Sequence, residues 1–183
     1  MKKLILAALV AIVSVSANAQ YWVGGEVGFS AGKTTVNGNK INSDATFKFL
    51  PQVGYQLNDK FDVALTIGMA HYNDDGISDT NMNSFILNPY LRYKFASAGN
   101  FTFFVDGGFT YQYTHTSGVK DNLNQWEIGI KPGFSYALND KVSLVAHVGD
   151  LSYQFGKQGD VKTNRFNMGV DGTNLSIGAY VNF

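Results

Sequence analysis

The sequence predicts an all-β protein: an eight-stranded antiparallel up-and-down barrel that crosses a membrane. Three observations predict it. Apolar residues alternate with polar or small ones along eight segments, the period of a strand and not of a helix. The apolar face of each segment is bulky, whereas the opposite face is rich in Gly, Ser, Thr, Ala and Gln. Small side chains suit the crowded inside of a narrow barrel, and large ones suit an outside without a volume limit. The connections alternate short and long, so one end carries tight turns and the other carries four polar loops. A soluble sandwich also alternates, but with its apolar face inward and a charge-rich face outward.

Before the first strand, "MKK", the apolar run "LILAALVAIV" and "SVSANA" form a basic start, an apolar core and a small-x-small end. That is the pattern of a secretory signal, residues 1–19, and the run is too short to span a membrane as a helix. Residues 20–183 then form one barrel domain. The protein extracted from membranes is expected to begin at Gln20, and mass spectrometry finding residues 1–19 retained would refute this.

The strands read from the alternation are 21–29, 47–57, 61–69, 85–95, 103–113, 126–138, 142–148 and 175–183. The seventh loses register near Asp150, the mark of a bulge. Residues 58–60, 96–100 and 139–141 are the short turns. Residues 31–44, 73–81, 116–124 and 154–173 are polar and read as long loops. "LNDK" occurs in two of the hairpins, at 57–60 and 138–141.

The three prolines, Pro51, Pro89 and Pro132, each stand four residues before a tyrosine on a descending strand. Those tyrosines, Tyr55, Tyr93 and Tyr136, form one aromatic girdle near the short turns with Phe61, Phe101 and Phe183. Trp126, with Phe29, Phe47, Tyr111 and Tyr113, supplies the other. With strands tilted near 40°, each residue climbs roughly 2.5 Å along the barrel axis, which lifts each proline about 18 Å above its turn. A proline there must sit at a bulge or leave a neighbour's carbonyl short of a donor.

Inward-facing positions carry Glu26, Lys48, Arg92, Asp106, Glu127, Lys131 and His147. An isolated charge in a narrow interior is costly, so these should pair and fill the lumen. Arg92, Asp106 and Lys131 lie on sequential strands, which places Asp106 between two cations. Glu26 and His147 fall on the opposite wall, and Lys48 and Glu127 nearer the loops.

Several function classes find no support. Without cysteine there is no disulfide, thiolate metal site or lipid-anchored N-terminal Cys. A formal net charge of +0 gives no electrostatic case for nucleic acid. His71 near Asp74 and Asp75, and His115 near Thr114, Thr116 and Ser117, are the candidates for acid–base or nucleophilic chemistry. An interfacial or loop histidine explains each as well. "GKTT" at 32–35 lacks the spacing and the helix of a phosphate loop. The sequence offers no cofactor motif and is read as that of a non-enzyme.

The signal segment, eight alternating strands, three short turns, four long loops and terminal aromatic together resemble the small eight-stranded outer-membrane barrels of Gram-negative bacteria. These include the opacity-like and OmpX-like proteins of the porin family and the OmpA membrane domain. The resemblance implies the cell outer membrane as the location and its lipid as the surroundings. It also implies that "NLSIGAYVNF" is read by the barrel-assembly machinery, through Phe183 with Val181, Ala179, Ile177 and Leu175 on its face. Deleting Phe183 is expected to leave export intact and to reduce the heat-modifiable barrel on a gel, and undiminished barrel would refute the assignment. Three roles are open: a structural or cell-surface protein with a filled lumen, an adhesin or envelope-contact protein binding an extracellular ligand through its loops, and a narrow pore.

Overall fold

The computed structural model describes residues 20–36, 39–76, 80–169 and 176–182. The signal segment, Leu175 and Phe183 lie outside the described residues. The strands are β1 (Tyr21–Val36), β2 (Asn39–Asn58), β3 (Phe61–Asp74), β4 (Thr80–Ala98), β5 (Phe101–Thr116), β6 (Leu123–Ala137), β7 (Val142–His147), β8 (Asp150–Gln158), β9 (Val161–Gly169) and β10 (Ser176–Asn182). Antiparallel pairing runs from β1 through β6 and β7 to β10, and β10 returns to β1, so eight strands close a ring. The β8–β9 hairpin continues this wall upward along β6. Closure gives backbone groups partners within the wall, as a hydrocarbon layer requires.

The wall is inside-out relative to a soluble protein. Phe29, Val27, Ile128, Phe166 and Met168 point outward and are exposed, while Gln52, Asp62, Thr66, Arg92 and Asp106 are buried inside. On β6, Tyr136 and Trp126 stand ten residues apart. At ~2.5 Å per residue that is about 25 Å, the height of a lipid-facing apolar band. At its lower rim Tyr55, Tyr93 and Tyr136 each meet an aromatic of an adjacent strand: Tyr21 at 4.8 Å, Phe61 at 5.0 Å and Phe101 at 4.8 Å between ring centroids. At the upper rim Trp126 lies 5.8 Å from Tyr111 and 5.6 Å from Phe155.

The two "LNDK" turns have the same chemistry. Asn58 Oδ1 accepts from the backbone N–H groups of Lys60 and Phe61, and Asn139 Oδ1 from those of Lys141 and Val142. The third turn uses Gly99 at φ 57°, where a side chain is disfavoured.

One expectation needs correction. Two of the four segments read as long loops are largely strand: β1 runs to Val36, β2 starts at Asn39, and β8 and β9 occupy most of 154–173. Above the lipid both faces of a hairpin meet water, so polar composition no longer signals the end of pairing. The bulge expected near Asp150 falls at Val148–Gly149, between β7 and β8. There β6 changes partner from β7, where Phe134 faces Ala146, to β8, where Ile130 faces Leu151.

The prolines are explained by the same ladders. Pro132 lies at that change of partner, and its carbonyl accepts from Val148 N–H at 3.0 Å. Pro51 and Pro89 lie at gaps in the ladders, between Phe49 and Gln52 on β2 and between Leu87 and Tyr90 on β4. Beside Pro89, the Asn88 side chain donates to Phe109 C=O at 3.1 Å, replacing the N–H that proline lacks.

Candidate functional site

The lumen is crossed at one level by a septum of side chains from six strands. Arg92 on β4 donates through Nε and Nη2 to Asp106 on β5, both at 2.7 Å. Such a fork-to-carboxylate pair is strong and directional. Asp106 Oδ2 also meets His147 Nε2 of β7 at 2.8 Å, and His147 Nδ1 lies 3.5 Å from Glu26 Oε1 of β1. Gln52 of β2 donates to Glu26 at 3.0 Å and accepts at Oε1 from the hydroxyls of Tyr180 (2.6 Å) and Tyr90 (2.9 Å). Tyr180 of β10 in turn accepts from Arg92 Nη2 at 3.2 Å, so the chain of polar contacts closes on itself.

Aromatic rings enclose the cation. The Arg92 guanidinium carbon stands 3.7 Å from the Phe104 ring centroid, 5.1 Å from Tyr180, 5.6 Å from Trp22 and 5.8 Å from Tyr90. Trp22 stacks on Tyr180 at 4.2 Å. Each contact with a ring face offsets some of the hydration the buried charge has lost.

Glycines make room for these rings. Trp22 faces Gly54, Tyr180 faces Gly24, Tyr90 faces Gly108 and Phe104 faces Gly133, each directly across the ladder. A Cβ at any of the four would collide with its ring or with Tyr90 Cβ. Gly54→Val is therefore expected to displace Trp22 and to destabilise the barrel by about 1–3 kcal/mol, as overpacking does. Gly28→Ala would touch only the Lys48 side chain, at 3.6 Å, and should leave the unfolding midpoint on a heat-modifiability gel unchanged.

Two water-accessible vestibules flank the septum. The one toward the long hairpins, about 310 Å³, holds Lys48, Glu127 and Lys131 above Glu26 and Asp106. The one toward the short turns, about 350 Å³, lies beneath Arg92, Phe104, Trp22 and Tyr180. A second ion pair, Lys94 Nζ to Asp62 Oδ1 at 2.7 Å, stands in its wall.

The placement of Lys131 and His147 differs from expectation. Lys131 is opposite Asp106 in the ladder, yet its ammonium pairs with Glu127 at 3.4 Å and stays 42% exposed. The Asp106 oxygens already hold Arg92 and His147, and Lys131 keeps its hydration by turning up into the vestibule. His147 and Glu26 do not stand apart from Asp106: an eight-stranded lumen is narrow enough for one imidazole to reach from wall to wall. Sequence reasoning misses Trp22, Gln52, Tyr90, Phe104 and Tyr180, although alternation points each of them inward. His71 and His115 bond to Asn83 (3.0 Å) and Asn122 (2.8 Å). Ala179 and Val181 point outward on β10.

The family model described as outer membrane protein beta-barrel domain matches residues 5–173. The chain belongs to this family. Its location is accordingly the outer membrane, with membrane lipid against the apolar band. No curated protein matches it. Solved structures of the same fold include Neisserial surface protein A, with 18% identity, TM-score 0.56, and coverage of 91% of this chain and 100% of that one. A major outer membrane protein from Thermus thermophilus aligns at 14% identity and TM-score 0.54, covering 91% and 100%. OprG from Pseudomonas aeruginosa aligns at 16% identity and TM-score 0.50, covering 92% and 98%.

Proposed function

We propose that this outer-membrane barrel has a structural and cell-surface role, with its lumen sealed to ions. One observation carries the reading: the closed ring of contacts through Arg92, Asp106, His147, Glu26, Gln52 and Tyr180 lies between the two vestibules. A pore would need a continuous hydrated path, and here a buried guanidinium and four rings stand in it. The charges are paired across strands, so the septum also ties the wall together. The unmutated protein in a planar bilayer is expected to give no steady conductance, and a conductance of porin size would overturn the proposal.

A second reading, contact with an extracellular ligand or another envelope component, is favoured by the hairpins themselves. β5 and β6 remain paired to Thr114 and Leu123, and β8 and β9 to Gln158 and Val161, beyond the upper girdle. Such hairpins present a pre-ordered surface. Replacing the β8–β9 tip with a short turn should abolish cell or matrix binding under this reading and leave bilayer behaviour unchanged. Neither reading invokes catalysis; among the described residues His71 and His115 bond to the side chains of Asn83 and Asn122. In either case the face of Leu175, Ile177, Ala179, Val181 and Phe183 would serve the assembly machinery during biogenesis.

A further inference from the structure

Above the upper girdle, the outward-facing charges of the β8–β9 ladder are of one sign. Outward positions run Leu151, Tyr153, Phe155 and then Lys157 on β8, and Met168, Phe166, Asn164 and then Lys162 on β9. Lys157 and Lys162 are directly opposite in the antiparallel ladder. Like charges so placed repel across one strand spacing, about 4.8 Å. Neither has an ion-pair partner among the described residues. Lys33 of β1 also faces outward. The strand carboxylates of this region turn the other way: Asp44 lies on the lumen side against Gly32, and Asp74 accepts from the Tyr72 hydroxyl at 2.9 Å. Asp121 and Asp160 are at the tip of the hairpins.

The height of the pair is fixed by its neighbours. Phe155 meets Trp126 at the girdle, and Lys157 stands two residues further up, roughly 5 Å at ~2.5 Å per residue. Below it a continuous apolar strip of Tyr153, Phe155, Phe166 and Met168 faces the acyl chains. We propose that Lys157 and Lys162 form a clamp for phosphate groups on the headgroups of outer-leaflet lipids. A single anion between the two ammonium groups relieves their repulsion, and its acyl chains lie on the apolar strip beneath. Continuity between the cations and that strip selects a lipid over free phosphate. The proposal rests on the family's membrane placement and is independent of whether the septum seals.

The test uses the full mature barrel in a maltoside detergent, with lipid retention read by native mass spectrometry. The probes are bisphosphorylated lipid A, the same lipid with its phosphates removed, and inorganic phosphate. The unmutated barrel should retain the phosphorylated lipid, and its thermal midpoint should rise with it. Lys157→Gln with Lys162→Gln should weaken retention roughly ten- to thirtyfold, from about 1 kcal/mol per lysine near an anionic surface. That variant should show the same gel heat-shift as the unmutated protein but no lipid-dependent rise in midpoint. Equal retention by the variant, or equal affinity of the unmutated barrel for dephosphorylated lipid, would overturn the clamp. Stabilisation by inorganic phosphate equal to that by the lipid would overturn it too, since the site would then be one for a free ion.

Discussion

Asp106→Ala is expected to lower the unfolding free energy of the barrel by about 3–5 kcal/mol, the range found when one partner of a buried ion pair is removed. Asp106 is 5% exposed and Arg92 3%. Without the carboxylate, the guanidinium loses both 2.7 Å bonds and keeps only the Tyr180 hydroxyl and the ring faces around it. His147 loses its 2.8 Å contact in the same step. Urea unfolding in detergent, followed by loss of heat-modifiable migration, measures the change. A loss below about 1 kcal/mol, the range of exposed pairs, would mean that water enters the septum and solvates Arg92. A compensating variant separates charge from packing. Removing both ions, as Arg92→Met with Asp106→Leu, should recover much of the loss, because a buried pair replaced by apolar residues of similar volume is often neutral or stabilising.

Much of this architecture is legible in the chain because a membrane barrel writes its fold in period two. The run Trp126, Ile128, Ile130 outward against Glu127, Gly129, Lys131 inward is enough to set the wall's two faces. The short turns are legible through Asn58, Asn139 and Gly99, whose backbone roles are local. The hairpin tips are not. Residues 31–36 and 157–162, above the lipid, are largely polar on both faces because both faces are wet, and pairing there leaves no apolar signature. The septum is half legible. Alternation sends Arg92, Asp106 and His147 inward, but which of them meet depends on side-chain reach across the lumen. Lys131 shows the limit: ladder neighbours by backbone, it and Asp106 are parted by the competition of His147 for the same oxygen. The missed signal is the facing of inward aromatics by glycines, which depends on registers set by long hairpins and by the closure of β10 on β1. Only Tyr90 with Gly108 can be counted across a short turn.

Trp22→Ala combined with Tyr180→Ala is expected to join the two vestibules and to turn a closed barrel into a conducting one. The two rings stack at 4.2 Å and are 4% exposed each, and both line the lower vestibule beneath the ring of polar contacts. Their loss removes the hydroxyl that links Arg92 to Gln52 and one side of the cation's enclosure. Spaces of about 310 and 350 Å³ would then be separated mainly by the Arg92–Asp106 pair, which water can pass. Removing a large buried ring costs about 3–5 kcal/mol, but the two rings pack on one another, so the double change should cost less than the sum of the singles. Folding is checked independently. Trp126 becomes the sole tryptophan, and its fluorescence should be quenched by brominated lipid as in the unmutated barrel. Planar-bilayer recording then decides. Steady ohmic current in the double variant, absent from the unmutated protein, places the seal at the stacked rings. A folded, inserted and silent double variant would show that the ion pair and Phe104 close the lumen without them.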